Sequence, residues 1–163
     1  MKYRLLDQTS DLEMEIFGRD LPELFRNACF AVFDNMVGQE DGAGGAGVQG
    51  SKAESRRIEL HSTTREELFL DWLRELLFRF STEYFVVKEV VSMKLTGGQG
   101  SGNADQGSTN GEPESWQLAA EVRGEKFDPK RHRVKIEIKT PTYHMFSIAK
   151  DDTGYKALVL FDV

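Results

Sequence analysis

With 163 residues, of which 39% are hydrophobic and 29% charged, the chain is long enough for one domain with a sizeable core and needs no covalent staples. A net charge of -6 and a pI near 5.2 argue against a broad nonspecific grip on nucleic acid, whose affinity comes from cations displacing counterions at phosphates. The single cysteine, Cys29, excludes an intramolecular disulfide and a thiolate metal cluster within the chain. Its neighbours Ala28, Phe30 and Ala31 predict a buried, inert thiol in a reducing compartment. The opening "MKYRLLDQTSD" lacks the apolar stretch of a signal peptide, and no apolar run reaches membrane-spanning length. The expected location is cytoplasmic, with the nucleus as a second site.

Residues 7–11, "DQTSD", form a polar turn between two strand-like segments. In "LEMEIFG", Leu12, Met14 and Ile16 alternate with Glu13 and Glu15, which predicts a half-buried strand ending at Gly18. Asp20 and Glu23 have capping-box spacing and Pro22 falls in a first helical turn, so a helix starts there. Leu21, Leu24, Phe25, Ala28, Val32, Phe33 and Met36 make its apolar stripe. The Gly/Ser/Ala-rich stretch 39–55 lacks the apolar groups that would offset ordering and is expected to be a flexible loop. "RRIELHS" alternates as a strand. A second helix follows, with capping-box spacing at Thr63 and Glu66 and an apolar face of Leu68, Phe69, Trp72, Leu73, Leu76, Leu77 and Phe80.

The β-branched "YFVVKEVVSMKL" predicts one long strand or two short ones, and "WQLAAEVRGEKF" its hairpin partner. Between them, 97–115 is a second low-complexity loop, a tolerable insertion because closure entropy grows slowly with length. "DPKRHR" predicts a turn. "RVKIEIKT" alternates strictly, with Val134, Ile136 and Ile138 expected inward and Lys135, Glu137 and Lys139 outward. "PTYHMFSIAKDDTG" opens another strand. In "YKALVLFDV" both faces are apolar, which predicts a central strand covered on two sides. Two helices and seven or eight strands give an α+β fold, a two-layer sandwich of a mainly antiparallel or mixed β-sheet with both amphipathic helices packed on it.

No GxGxxG, Walker loop, GxSxG or histidine-led cysteine motif occurs, and His61 reads as a strand-end polar residue without a second histidine at ligand spacing. The carboxylates say more. Asp162 lies at the end of an apolar strand, where an isolated charge is costly unless it is paired, solvated or bound to a cation. Either it reaches water as the strand exits, or it joins the Val163 α-carboxylate, Asp11 and Asp7 as hard oxygen donors for calcium, magnesium or manganese. Lys139 is either a solvated surface lysine or a point charge for phosphates. His144 is either a proton donor or a polar strand end.

Three segments resemble the archease family. "DQTSDLEMEIFGRDLPELFRNACFAVFDNM" is similar to its opening turn, strand, glycine and helix; "KTPTYH" to its K-A-x-T-Y-H segment; and "LVLFDV" to its terminal apolar strand ending in Asp and an aliphatic residue. The likeness spans the chain outside the two glycine-rich stretches, and implies a single domain over 1–163. It also implies a non-enzymatic accessory protein that activates the RtcB-type RNA ligase of tRNA splicing and RNA repair, promoting its guanylylation and multiple turnover. The family's metal-associated acidic site would fall on Asp11 and Asp162 with Val163 adjacent, its functional lysine on Lys139, and Asp7 and His144 nearby. Gln8 stands where the family commonly has histidine. The competing implication is a chaperone-like modulator of a tRNA methyltransferase; a third reading is an independent metal-dependent hydrolase.

Overall fold

The computed structural model describes residues 1–6, 11–39, 53–97 and 115–163. Within them the chain runs β1 (Tyr3–Leu5), β2 (Leu12–Gly18), α1 (Leu21–Met36), β3 (Val37–Gln39), β4 (Glu54–Ser62), α2 (Arg65–Glu83), β5 (Phe85–Thr96), β6 (Trp116–Lys126), β7 (His132–Val134), β8 (Thr140–Asp151) and β9 (Gly154–Asp162). The fold is α+β with antiparallel pairing, as expected. The strands divide into three sheets, however: β1-β2-β9-β8, β4-β6-β5 and the ribbon β3-β7. The expected loops at 39–55 and 97–115 fall mainly at 40–52 and 98–114, outside the described residues. Strand pairing takes in Gln39, Glu54 and Ser55 at the margins of the first.

Both helices touch both larger sheets, α1 through β2 and β5, α2 through β8 and β4, so a single apolar core lies between them. Asp20 caps α1 by accepting from the Glu23 N–H at 2.9 Å, while Glu23 Oε1 accepts from the Arg19 N–H at 2.6 Å. In α2 the cap is Thr64, accepting from the Glu67 N–H at 3.0 Å, one residue later than the Thr63–Glu66 spacing suggests. Two overlapping T-x-x-E registers exist, Thr63–Glu66 and Thr64–Glu67, and in the one that forms Leu68 and Phe69 are buried. The helices meet where Phe25 packs edge-on against Phe69 at 5.0 Å and the Trp72 indole N–H donates to the Phe25 carbonyl at 2.9 Å. Each such fully buried aromatic contributes on the order of 2–3 kcal/mol.

Two sequence expectations need correction. "RVKIEIKT" is not a strand: β7 ends at Val134, which is 48% exposed, and the Lys135 N–H is spent on the Met36 carbonyl at the end of α1. Ile138 is buried and Ile136 partly so, because an irregular segment folds them onto the core without a ladder. β9 is central, between β2 and β8, and its second face is covered only in part, with Leu160 buried at 8% exposure. Leu158 is only half-buried, and the register sets Glu15 and Glu13 beside Leu158 and Leu160.

The turn from β8 into β9 fixes where β9 ends. Asp151 Oδ1 accepts from the Thr153 and Gly154 N–H groups at 2.8 and 3.2 Å, and Gly154 holds φ +138 against the Gly18 carbonyl, where a Cβ would not fit.

Candidate functional site

The β2–β9 ladder ends at the pair Leu12–Phe161, and Asp11 and Asp162 are the residues next to that pair on the two chains. Leu12 and Phe161 are fully buried, and their alternation turns Asp11 and Asp162 to the outer face as the sheet ends. On the other side of β9, Thr140 pairs with Asp162. The Lys139 N–H, just before β8, donates to the Asp162 carbonyl at 2.8 Å, which ties Lys139 to the end of β9. Asp11, Lys139, Asp162 and Val163, far apart in sequence, thus share one end of the sheet. Asp162, Val163 and Lys139 are exposed and Asp11 is half-buried.

Like charges gathered at neighbouring strand ends are destabilising. Farther along the same face this repulsion is relieved. Glu15 is bound by Arg4 at 2.6 Å and by Lys156 at 3.5 Å, and the Arg4 hydrogen bond, reinforced by both positive charges, holds its carboxyl below the usual range. Among the described residues no such ion pair forms at Asp11 or Asp162.

No group of three or more His, Cys, Asp or Glu side chains is gathered for a metal among the described residues. The donors on hand are the two carboxylates and the main-chain oxygen of Val163. This hard, sulfur-free set fits a cation that keeps much of its water, as magnesium or manganese does, and fits calcium if further oxygens join. Asp7, the expected further donor, and Gln8 lie outside the described residues.

His144 stands on a bulge. β8 pairs Thr142 with Leu160 and Ser147 with Leu158, so residues 143–146 face a single residue of β9. Met145 takes a φ of 58 there, and Tyr143, His144 and Met145 are exposed. The bulge leans on α2: Tyr143 donates to Glu67 at 3.2 Å and Phe146 stacks on Phe69. Cys29 is buried, and burial pushes its thiol up to about 12, which matches the inert thiol expected.

Sequence reasoning missed one polar cluster. His132 and Glu125 are both buried, with His132 Nε2 2.8 Å from Glu125 Oε2, while Arg131 donates to Glu125 Oε1 at 2.8 Å. The Asp128 N–H donates to His132 Nδ1 at 2.9 Å, which leaves Nε2 as the protonated nitrogen facing the carboxylate. Glu125 occupies the outward parity of β6, so no periodicity marked it.

A small α+β protein with an acidic sheet end and no assembled nucleophilic centre among its described residues is the class this geometry defines. Comparison with known proteins narrows it: residues 3–163 match the Archease protein family (MTH1598/TM1083), and the chain belongs to that family. It is 32% identical over 163 residues to the protein archease of Archaeoglobus fulgidus, spanning 100% of both chains, and 28% identical to an archease-like protein of Drosophila melanogaster, spanning 100% of this chain and 91% of that one. The solution structure of Methanobacterium thermoautotrophicum protein 1598 superposes with a TM-score of 0.68 at 28% identity, covering 99% of each chain. A Thermotoga maritima crystal structure described as an archease, possible chaperone, shares the fold with a TM-score of 0.58 at 18% identity, covering 97% of this chain and 94% of that one.

Proposed function

We propose that the chain is a non-catalytic accessory protein that activates an RtcB-type RNA ligase in tRNA splicing and RNA repair, promoting guanylylation and multiple turnover through an acidic tip that holds a divalent cation. The observation that carries this reading is that Asp11 and Asp162 both adjoin the last pair of the β2–β9 ladder, with no neutralising ion pair at either among the described residues, while Glu15 on β2 has two such partners. Membership of the family supports it further.

In this reading Asp11 and Asp162 supply carboxylate oxygens and Val163 a main-chain oxygen, with Asp7 and His144 as neighbours. A bound calcium, magnesium or manganese ion would supply positive charge for phosphate oxygens. Lys139, anchored through its own main chain, leaves its exposed ammonium free to meet nucleotide phosphates in the ligase. The tip is small and stands at a sheet end, the shape that enters a partner's cleft. Such a role places the protein in the cytoplasm or nucleus and asks little direct RNA binding of it.

A second reading, a chaperone-like modulator of a tRNA methyltransferase, draws support from the bulge on β8, where Tyr143 and Met145 are 60% and 58% exposed and offer an apolar contact. Guanylylation of a stalled RtcB-type ligase by GTP and manganese separates the two. Asp11→Asn and Asp162→Asn should each abolish most of the stimulation, while Met145→Ser leaves it intact. Full stimulation by both Asn variants would refute the acidic tip. Turnover of RNA ends without ligase would instead favour a hydrolase.

A further inference from the structure

A cavity of about 780 Å³ lies between two strands that belong to different sheets. Along one wall run five consecutive residues of β5, Val86 to Val90, and along the other all three residues of β3. A strand presenting its face to a cavity contributes alternate residues; consecutive residues mean that it presents its edge. β5 is the outer strand of β4-β6-β5, and the outer side of β3 is likewise unpaired among the described residues. The Arg26 guanidinium already uses this edge, donating to the Val90 carbonyl at 2.9 Å. The floor is one face of α1, where Phe30 is 44% exposed.

Charge sets this slot apart from the rest of the molecule. In a chain of net charge -6 its lining carries Lys2, Arg26, Lys88 and Lys135 against Asp34 and Glu89. Asp34 is engaged by the Tyr3 hydroxyl at 2.6 Å. Lys88 is an extra residue of β5, where the register jumps from Val87 to Glu89, and this β-bulge brings its ammonium to 3.8 Å from the Glu125 carboxylate. Edge lysines and bulges deter pairing with arbitrary strands and with copies of the same edge, but attract a strand of opposite charge.

We infer that this slot is a docking site for an extended acidic segment of a partner protein, which adds as a strand to the β5 edge, sets alternate apolar side chains along α1 beside Phe30 and turns its carboxylates toward Lys135 and toward Lys2, whose ammonium lies 4.0 Å over the Phe30 ring. Five residues of edge offer about 16 Å of pairing, the span of a short recognition strand. None of the lining residues is Asp11, Lys139 or Asp162, so the inference stands or falls separately from the cation-bearing tip.

The test is a fluorescence-anisotropy panel of hexapeptides in which apolar residues alternate with Glu, with Lys or with Ser, measured without ligase or divalent cation. The Glu series should bind at least about tenfold more tightly than the Lys series, and N-methylation of alternate amides in its best member should weaken it by about tenfold or more. Binding should slow hydrogen exchange over residues 86–90, and Lys2→Glu combined with Lys135→Glu should reverse the charge preference. If that double variant fails to fold, the N-methylated peptides on the unaltered protein still decide. Equal affinity for the Glu and Lys series, no binding of the Glu series up to about 1 mM, or binding without protection of 86–90 would overturn the inference. So would occupation of the slot by an oligouridylate or by a second copy of the chain in place of the acidic peptides.

Discussion

The Lys139 N–H donates to the Asp162 carbonyl at 2.8 Å, a bond between main chains and not between side chains. The position of Lys139 at the sheet end therefore does not depend on its ammonium, which stays exposed and makes no ion pair among the described residues.

Lys139→Ala should accordingly leave stability within about 0.5 kcal/mol of the parent, as for other exposed side chains free of structural partners, while lowering ligase guanylylation severalfold or more. Urea unfolding and a guanylylation time course on one preparation measure both quantities. A large stability loss would mean that the side chain has a structural role, and unaltered guanylylation would remove it from the functional set.

The Glu125–His132 pair makes the opposite prediction. Both side chains are buried and Arg131 and Lys88 also pair with Glu125, so truncating one member leaves charge or polarity without its partner. Glu125→Ala or His132→Ala should each cost about 3–5 kcal/mol in denaturant unfolding, without altering guanylylation per folded molecule. The two losses should be strongly non-additive in the double variant. Losses below about 1 kcal/mol, the scale of exposed pairs, would show that the cluster is not a structural unit.

Glu15 predicts how stability responds to acid. Hydrogen bonding and charge from Arg4 hold its folded-state carboxyl below its ordinary value of 4.5, so its contribution is complete above that value and is lost as the pH falls through the lower folded-state value. Glu15→Gln should lower stability at neutral pH and flatten its decline in the acid range. Parallel stability–pH profiles for the parent and variant, from thermal melts between neutral and strongly acid buffers, would argue against the assignment.

Much of this was written in local pattern. Leu12, Met14 and Ile16 alternate with glutamates and form β2; the Asp20–Glu23 spacing caps α1; and the stripe from Leu24 to Met36 is buried, because these signals depend on residues a turn or a step apart. The second cap was displaced by one residue because Thr63 and Thr64 offer equivalent hydroxyls, and burial of Leu68 and Phe69 made the choice. The alternation in "RVKIEIKT" misled because the same pattern suits an irregular segment that buries Ile138 while its main chain bonds elsewhere.

Sequence alone determined both helices, most of the longer strands, the apolar stripes and the inert Cys29, since each follows from side chains within a few positions of one another. Only the tertiary structure decided that the start of β2 and the end of β9 lie side by side, that the main chain of Lys139 bonds to Asp162, that Glu125 finds His132, and that the edges of β3 and β5 flank a cationic slot. Strand order and register set those meetings, and both are fixed by packing across the whole core, a property that no short window of sequence contains.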